Sequence, residues 1–265
     1  MIKLQKIIKY LAIFFAASII CSIISGVMVL FYSMISNNKD LIDGRPAQAL
    51  RQDIKYLDIE VKGVNIVFKE GNEFTFETTN ENIKYQQNEE KLTIEEKKHN
   101  WFGKKDNNNL IIYIPYNYTF ETIELEAGAG TINIGRLSAN RLDLELGAGK
   151  VEITNLIVNN NTSIDSGAGT LTINNSLLNN LELDMGVGNV IVTSELKGVN
   201  EISAGVGKLE LNLLGNDYKI KVDKGIGTTT ISGNAISDNT YYGTGNNLIK
   251  IDGGIGKIEI NYHEN

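Results

Sequence analysis

The residue types that could do chemistry are few and scattered. The 265 residues contain two histidines, His99 and His263, and one cysteine, Cys21. A zinc site built from His and Cys has too few ligands here, and no disulfide framework can form within one chain. Carboxylates are plentiful: Glu124, Glu126, Asp143, Glu145, Asp165, Glu182 and Asp184 alternate with apolar residues. Glycan cleavage needs a carboxylate pair held at a set separation, and no pair is singled out by its spacing. These carboxylates read as the solvated face of strands, where charge also deters edge pairing, with a weak cation site as the alternative. Calcium-binding β-rolls place aspartates in a Gly-rich nonapeptide. Here the residues after the glycines run Lys150-Val151-Glu152 or Lys257-Ile258-Glu259, without an aspartate ladder. A dinucleotide fingerprint needs a third glycine opening a helix, but Gly130 is followed by Thr131-Ile132-Asn133-Ile134, a strand pattern. No metal and no cofactor is expected, and the chain reads as a non-enzyme.

One local cluster is chemically distinct. Lys97, Lys98, Trp101, Phe102, Lys104 and Lys105 fall within nine residues and include the only tryptophan. Lysines around exposed aromatics suit contact with anionic lipid head groups or an anionic wall polymer. The alternative is an ordinary lysine-rich hairpin whose aromatics pack on the neighbouring sheet.

Charge and hydropathy place these residues in a compartment. The formal net charge is −7, and no Asp or Glu precedes residue 36. The rest carries 22 Lys and Arg against 32 Asp and Glu, a net of −10. An acidic body disfavours nucleic acid as a partner, because phosphate neutralisation needs clustered cations. From Tyr10 to Ile35 run 26 residues without a charge. As a helix they span about 39 Å, enough for a bilayer core of about 30 Å. The exit, Phe31-Tyr32-Ser33-Met34-Ile35-Ser36, is not Ala-x-Ala-like, and Ile20 rather than a small residue precedes Cys21. The segment therefore reads as an uncleaved anchor rather than a secretory or lipoprotein signal. Lys3, Lys6 and Lys9 hold the N-terminus in the cytoplasm by the positive-inside rule, leaving the C-terminal domain outside.

The elements that position all this are repeats. A Gly-x-Gly step recurs at Gly128/Gly130, Gly147/Gly149, Gly167/Gly169, Gly186/Gly188, Gly205/Gly207, Gly225/Gly227 and Gly254/Gly256, at spacings of 19, 20, 19, 19, 20 and 29. The long last spacing predicts an insertion within Gly233 to Asn247, where loop residues gather. Apolar alternation on both sides of each step predicts strands with one face buried. In the first copy the apolar frame is odd up to Ala129 and even from Ile132 onward. A one-residue shift of frame demands a bend or bulge at the glycines. Aligned corners suggest stacked layers whose equivalent strands pair, a β-solenoid, although spacing alone leaves a β-sandwich of hairpins open. Strand patterns without Gly-x-Gly over 53–118 predict an N-terminal β cap, and Asn261, His263, Glu264 and Asn265 a modest C-terminal one.

Taken together, Ile54-Lys55-Tyr56-Leu57-Asp58-Ile59, Leu92-Thr93-Ile94, Leu110-Ile111-Ile112-Tyr113-Ile114-Pro115 and the Leu-x-Leu-x-x-Gly-x-Gly-x-Ile-x-Ile repeats carry a resemblance. Over roughly residues 50–262 the chain resembles the "putative-adhesin" β-repeat family (head-GIN-like). That resemblance implies a membrane-anchored bacterial envelope protein, in some members accessory to envelope-stress signalling, and supplies no catalytic motif. The expected organisation is a cytoplasmic basic tail (1–9), a transmembrane helix (10–35), a linker (36–52), the β cap (53–118) and an all-β solenoid of about seven 19–20-residue repeats (119–262). The expected function is a non-enzymatic, adhesin-like interaction module integral to the cell membrane as a single-pass protein, binding an envelope protein or a wall or lipid polymer. A self-associating scaffold joined through the solenoid ends is the alternative, and a glycan-active enzyme the third reading.

Overall fold

In the computed structural model the strict apolar–polar alternation becomes a single parallel β-solenoid. The structure describes residues 50–97 and 108–263, together with the backbone of 42–43. The expected tail, transmembrane helix, most of the linker, Glu264 and Asn265 lie outside the described residues. Among the described residues there is no helix, so none is long and apolar enough to cross a membrane.

The strands run in chain order as β1 (Ile42–Asp43), β2 (Tyr56–Gly63), β3 (Asn65–Gly71), β4 (Thr75–Thr78), β5 (Ile83–Asn88), β6 (Lys91–Glu96) and β7 (Asn109–Pro115). Four long bent strands follow: β8 (Phe120–Ile134), β9 (Leu137–Thr154), β10 (Leu156–Asn179) and β11 (Leu181–Lys197). Then come β12 (Val199–Ser203), β13 (Val206–Leu214), β14 (Tyr218–Asp223), β15 (Ile226–Ile231), β16 (Asn234–Ala235), β17 (Tyr241–Tyr242), β18 (Asn247–Asp252) and β19 (Ile255–His263). From β8 to β13 each rung pairs in parallel with the next, Gly130 on Gly149, Gly149 on Gly169, Gly169 on Gly188 and Gly188 on Gly207. Parallel pairing removes the sandwich of hairpins.

At both ends the stack departs from sequence order. The last rung of the chain, β18 with β19, lies between β12/β13 and β14/β15, so Gly254 stacks on Gly205 and Gly225 on Gly254. Likewise β2/β3 lies between β8 and an outer rung made of β6 and β7. The segment 53–118 thus supplies two rungs as well as a cover. The polar C-terminus does not close the stack, since Asn261 and His263 belong to an inner rung paired with Asn212 and Leu214. Closure falls to antiparallel strands: β4 on β7 and β5 on β6 at one end, β16 on β15 and β17 on β14 at the other. The expected insertion between Gly233 and Asn247 is this second cover, whose Ile236 is buried against the end of the core.

Inward positions form one continuous apolar core, including Leu125, Leu144, Ile164 and Leu183 from equivalent places in successive rungs. The rungs turn at asparagines in left-handed conformation, Asn155 (φ 56°), Asn175 (φ 48°) and Asn180 (φ 47°), which asparagine tolerates better than most residues. Asparagine amides also link the rungs: at the turns Asn175 donates to the Asn155 side chain, and within the strands Asn159 donates to Asn140 at 3.0 Å.

Candidate functional site

The Gly-x-Gly corners are where the solenoid shows its most unusual surface. Each second glycine takes a positive φ, from 135° at Gly130 to 155° at Gly149, and this supplies the bend that the frame shift demands. The side chain between the glycines then points outward. Ala127 and Ile132 are buried while Ala129 is exposed, so the inward frame breaks at the first glycine and not, as the parity of the sequence suggested, after Ala129. Across the stack, Ala129, Ala148, Ala168, Val187, Val206, Ile255 and Ile226 lie in register, one above the next. At about 4.8 Å per rung this ridge is about 29 Å long. Its side chains grow along it from alanine to isoleucine, and the larger ones are strongly exposed: Val187 59%, Val206 40%, Ile255 53% and Ile226 65%. A row of exposed aliphatics on a rigid scaffold is the kind of surface that proteins keep for contacts.

Beside the ridge the carboxylates are stacked, not dispersed. Glu60, Glu126, Glu145, Asp165 and Asp184 occupy one column in unbroken register. A second column holds Asp58, Glu124, Asp143, Ser163, Glu182 and Glu201, and then turns basic at Lys250, whose Nζ lies 2.8 Å from Glu201, and Lys221. Burial, and after it repulsion from stacked neighbours, raises the Glu126, Glu145 and Asp165 carboxyls above the ordinary carboxylate range. Glu60 is raised chiefly by burial as well. The opposite flank is balanced: Lys208 bridges Glu210 at 2.7 Å and Glu259 at 2.8 Å, and Lys257 meets Glu259 at 2.6 Å. Among the described residues no group of three or more His, Cys, Asp or Glu is arranged to hold a metal ion.

The ladder has a consequence for stability. A carboxyl raised in the folded state adds stability that is complete below its unfolded value, near 4, and is lost as pH rises through the folded value. Asp53, Glu210 and Glu259 are lowered by hydrogen bonds from Arg51 and Lys208, so their contribution holds above the unfolded value and is lost as pH falls through the folded one. The thermal midpoint should therefore rise as pH drops from 7 to about 5 and fall again below about 4. Glu145→Gln, which removes the central charge of the column, should flatten the rise. Scanning calorimetry across that range is the check; a midpoint that falls steadily from pH 7 would refute the stacked-charge account.

The other candidate residues fare unevenly. Lys97 is exposed at the end of β6, its backbone N–H donating to Asn82 and its Nζ paired with Glu95. Lys98, Trp101, Phe102, Lys104 and Lys105 lie outside the described residues. The fourteen glycines of the Gly-x-Gly steps stack in register from rung to rung. Sequence reasoning missed the outward ridge, although its signal was present: the residues between the glycines are all aliphatic, with no polar member. It also missed Glu96, buried beside the corner of β2 and β3, where it accepts hydrogen bonds from the N–H groups of Lys62 (2.7 Å) and Gly63 (3.1 Å) and from Asn80 (3.0 Å).

A family profile, Toastrack DUF4097, matches residues 54–240. Among solved structures, a "putative cell adhesion protein" from Clostridium sporogenes ATCC 15579 aligns with 84% of this chain and 100% of its own, at 18% identity and a TM-score of 0.33. A "putative adhesin" from Bacteroides fragilis NCTC 9343 aligns with 84% of this chain and 98% of its own, at 16% identity and a TM-score of 0.48. No curated protein matches.

Proposed function

The chain belongs to the Toastrack DUF4097 family, and on that premise we propose that it is a non-enzymatic, membrane-anchored interaction module that presents its solenoid outside the cell. The observation that carries this reading is the ridge from Ala129 to Ile226. Seven rungs hold its side chains at fixed spacing, so a partner meets a preformed apolar line and loses little entropy on ordering it. The uncharged run from Tyr10 to Ile35, preceded by Lys3, Lys6 and Lys9, supports a single-pass anchor with the domain exported. The adhesin-like role, the kinship with head-GIN-like proteins and the accessory part in envelope-stress signalling belong to this proposal. So does a contact role for the segment around Trp101.

A second reading, self-association, has its own observation. At one end of the stack β15 is covered by β16 only at Thr230 and Ile231, leaving the edge beside Ile226 outside that pairing. A sheet edge left open is a template for another chain.

Photo-crosslinking in intact cells tests both. Probes belong at Val206 on the ridge and at Trp101, with a control at Asn216, exposed in the turn before β14. The expected result is a discrete adduct at Val206 and none at Asn216. An adduct whose mass is that of two copies of this chain would favour self-association, and equal labelling at Val206 and Asn216 would sink the ridge as a contact surface.

A further inference from the structure

Away from the Gly-x-Gly corners, the inter-rung turns enclose a groove of about 210 Å³. Its floor is apolar, made by Ile114, Pro115, Leu137 and Ile157. Its rim is polar: Glu70, Asn117, Thr119, Arg136 and Ser138. We propose that this groove binds one neutral sugar ring, an N-acetylhexosamine residue of an envelope polysaccharide. The inference rests on the reading of the domain as a surface-binding module, but uses a different part of the surface.

The chemistry of the rim matches such a ring. Arg136 Nη1 and Glu70 Oε1 stand 3.7 Å apart, beyond hydrogen-bonding distance, so each keeps capacity for a third group placed between them. A sugar with adjacent hydroxyls can donate to the carboxylate and accept from the guanidinium. Thr119 Oγ1 and Ser138 Oγ lie 3.1 Å apart and share one hydrogen, which leaves the pair a free hydrogen and free lone pairs for the ligand. The rim carries one positive and one negative charge, so its balance favours a neutral ligand over an anionic polymer. The aliphatic floor asks for an apolar counterpart, which the acetyl methyl and the C–H face of the ring provide. Drug-sized ligands occupy pockets of about 300–1,000 Å³, so a groove of this size takes one ring and not a whole chain.

The wall is already rigid. Tyr118 N–H donates to Pro115 O at 3.3 Å, closing a tight turn with Asn117 at φ 58°. The Tyr118 hydroxyl donates to Ile54 O at 2.6 Å, and its ring meets Phe74 and Phe120 edge-on at centroid distances of 4.6 and 5.2 Å. Tyr116, at the tip of the same turn, is 61% exposed. A preformed wall spares the ordering cost that weakens most carbohydrate contacts.

Saturation-transfer NMR with the full-length chain in mild detergent is the test, with N,N′,N″-triacetylchitotriose as probe and maltotriose as control. The expected result is saturable binding of chitotriose with a Kd of about 1 mM, and at least several-fold weaker binding of maltotriose. Arg136→Ala should weaken chitotriose binding about tenfold, and Ser138→Phe, which fills the groove, should abolish it. The thermal midpoints of both variants should stay at the wild-type value. Absence of saturable binding, binding indifferent to both variants, or equal binding of the two sugars would overturn the proposal. None of these outcomes touches the crosslink expected at Val206, so the groove can fail while the ridge stands, and the reverse.

Discussion

Gly188→Ala should abolish the folded solenoid, while Gly215→Ala should cost only about 1–2 kcal/mol. Both glycines have positive φ, 139° at Gly188 and 89° at Gly215, so backbone strain alone does not separate them. Surroundings do. A Cβ built on Gly188 would fall inside the van der Waals envelope of the Gly169 carbonyl oxygen, with the Gly169 carbonyl carbon 2.9 Å and its nitrogen 3.0 Å away. All of these atoms are backbone, held by ladder hydrogen bonds on both sides, so nothing can rotate out of the way. At Gly215 nothing lies within 4 Å of the added carbon. Relief at Gly188 requires neighbouring rungs to separate, and the loss should exceed about 4 kcal/mol, the range kept for the most disruptive single substitutions. Thermal melts by circular dichroism decide it. A Gly188→Ala chain melting within a few degrees of wild type would mean that the corner is far softer than its packing indicates.

Ending the chain after Asn246 should destroy the cooperative transition instead of trimming one repeat from an end. In a solenoid stacked in sequence order, loss of the last repeat removes one nearest-neighbour interface. Here β18 and β19 are an inner rung, so the truncation unpairs β12 and β13 on one side and β14 and β15 on the other. It removes the buried side chains Ile249, Ile251, Ile258 and Ile260. At about 1.5–3 kcal/mol per buried side chain this is about 6–12 kcal/mol, comparable with the whole stability of a domain. It also strips one face from β14, whose Tyr218 hydroxyl links Leu214 O (2.6 Å) to Leu196 N (3.3 Å). A truncated chain with a cooperative melt of proportionally smaller amplitude would show that β14 and β15 drop one layer and pair with β12 and β13 directly, which would refute the inner-rung argument.

The sequence by itself determined that the described part of the chain is all-β, that its strands have one buried face, and that they bend at each Gly-x-Gly. Those facts follow from local alternation, and alternation is a property of neighbouring residues. It also located the insertion after Gly233, because loop chemistry there interrupts the period. The same local logic misplaced Ala129: parity carried it into the core, whereas the positive φ at Gly130 turns it out, and a backbone angle is not written in parity. Only the tertiary structure decided which rung lies next to which. Leu183-Asp184-Met185 and Ile251-Asp252-Gly253 are near-equivalent modules, and nothing in either says that Ser203 has Asp184 on one side and Asp252 on the other. The exposed ridge, the unbroken column from Glu60 to Asp184 and the groove between Glu70 and Arg136 exist only once that order is set. Each joins residues that are one or more rungs apart in the chain, and contacts of that range are fixed by stacking, which a reading of periods does not reach.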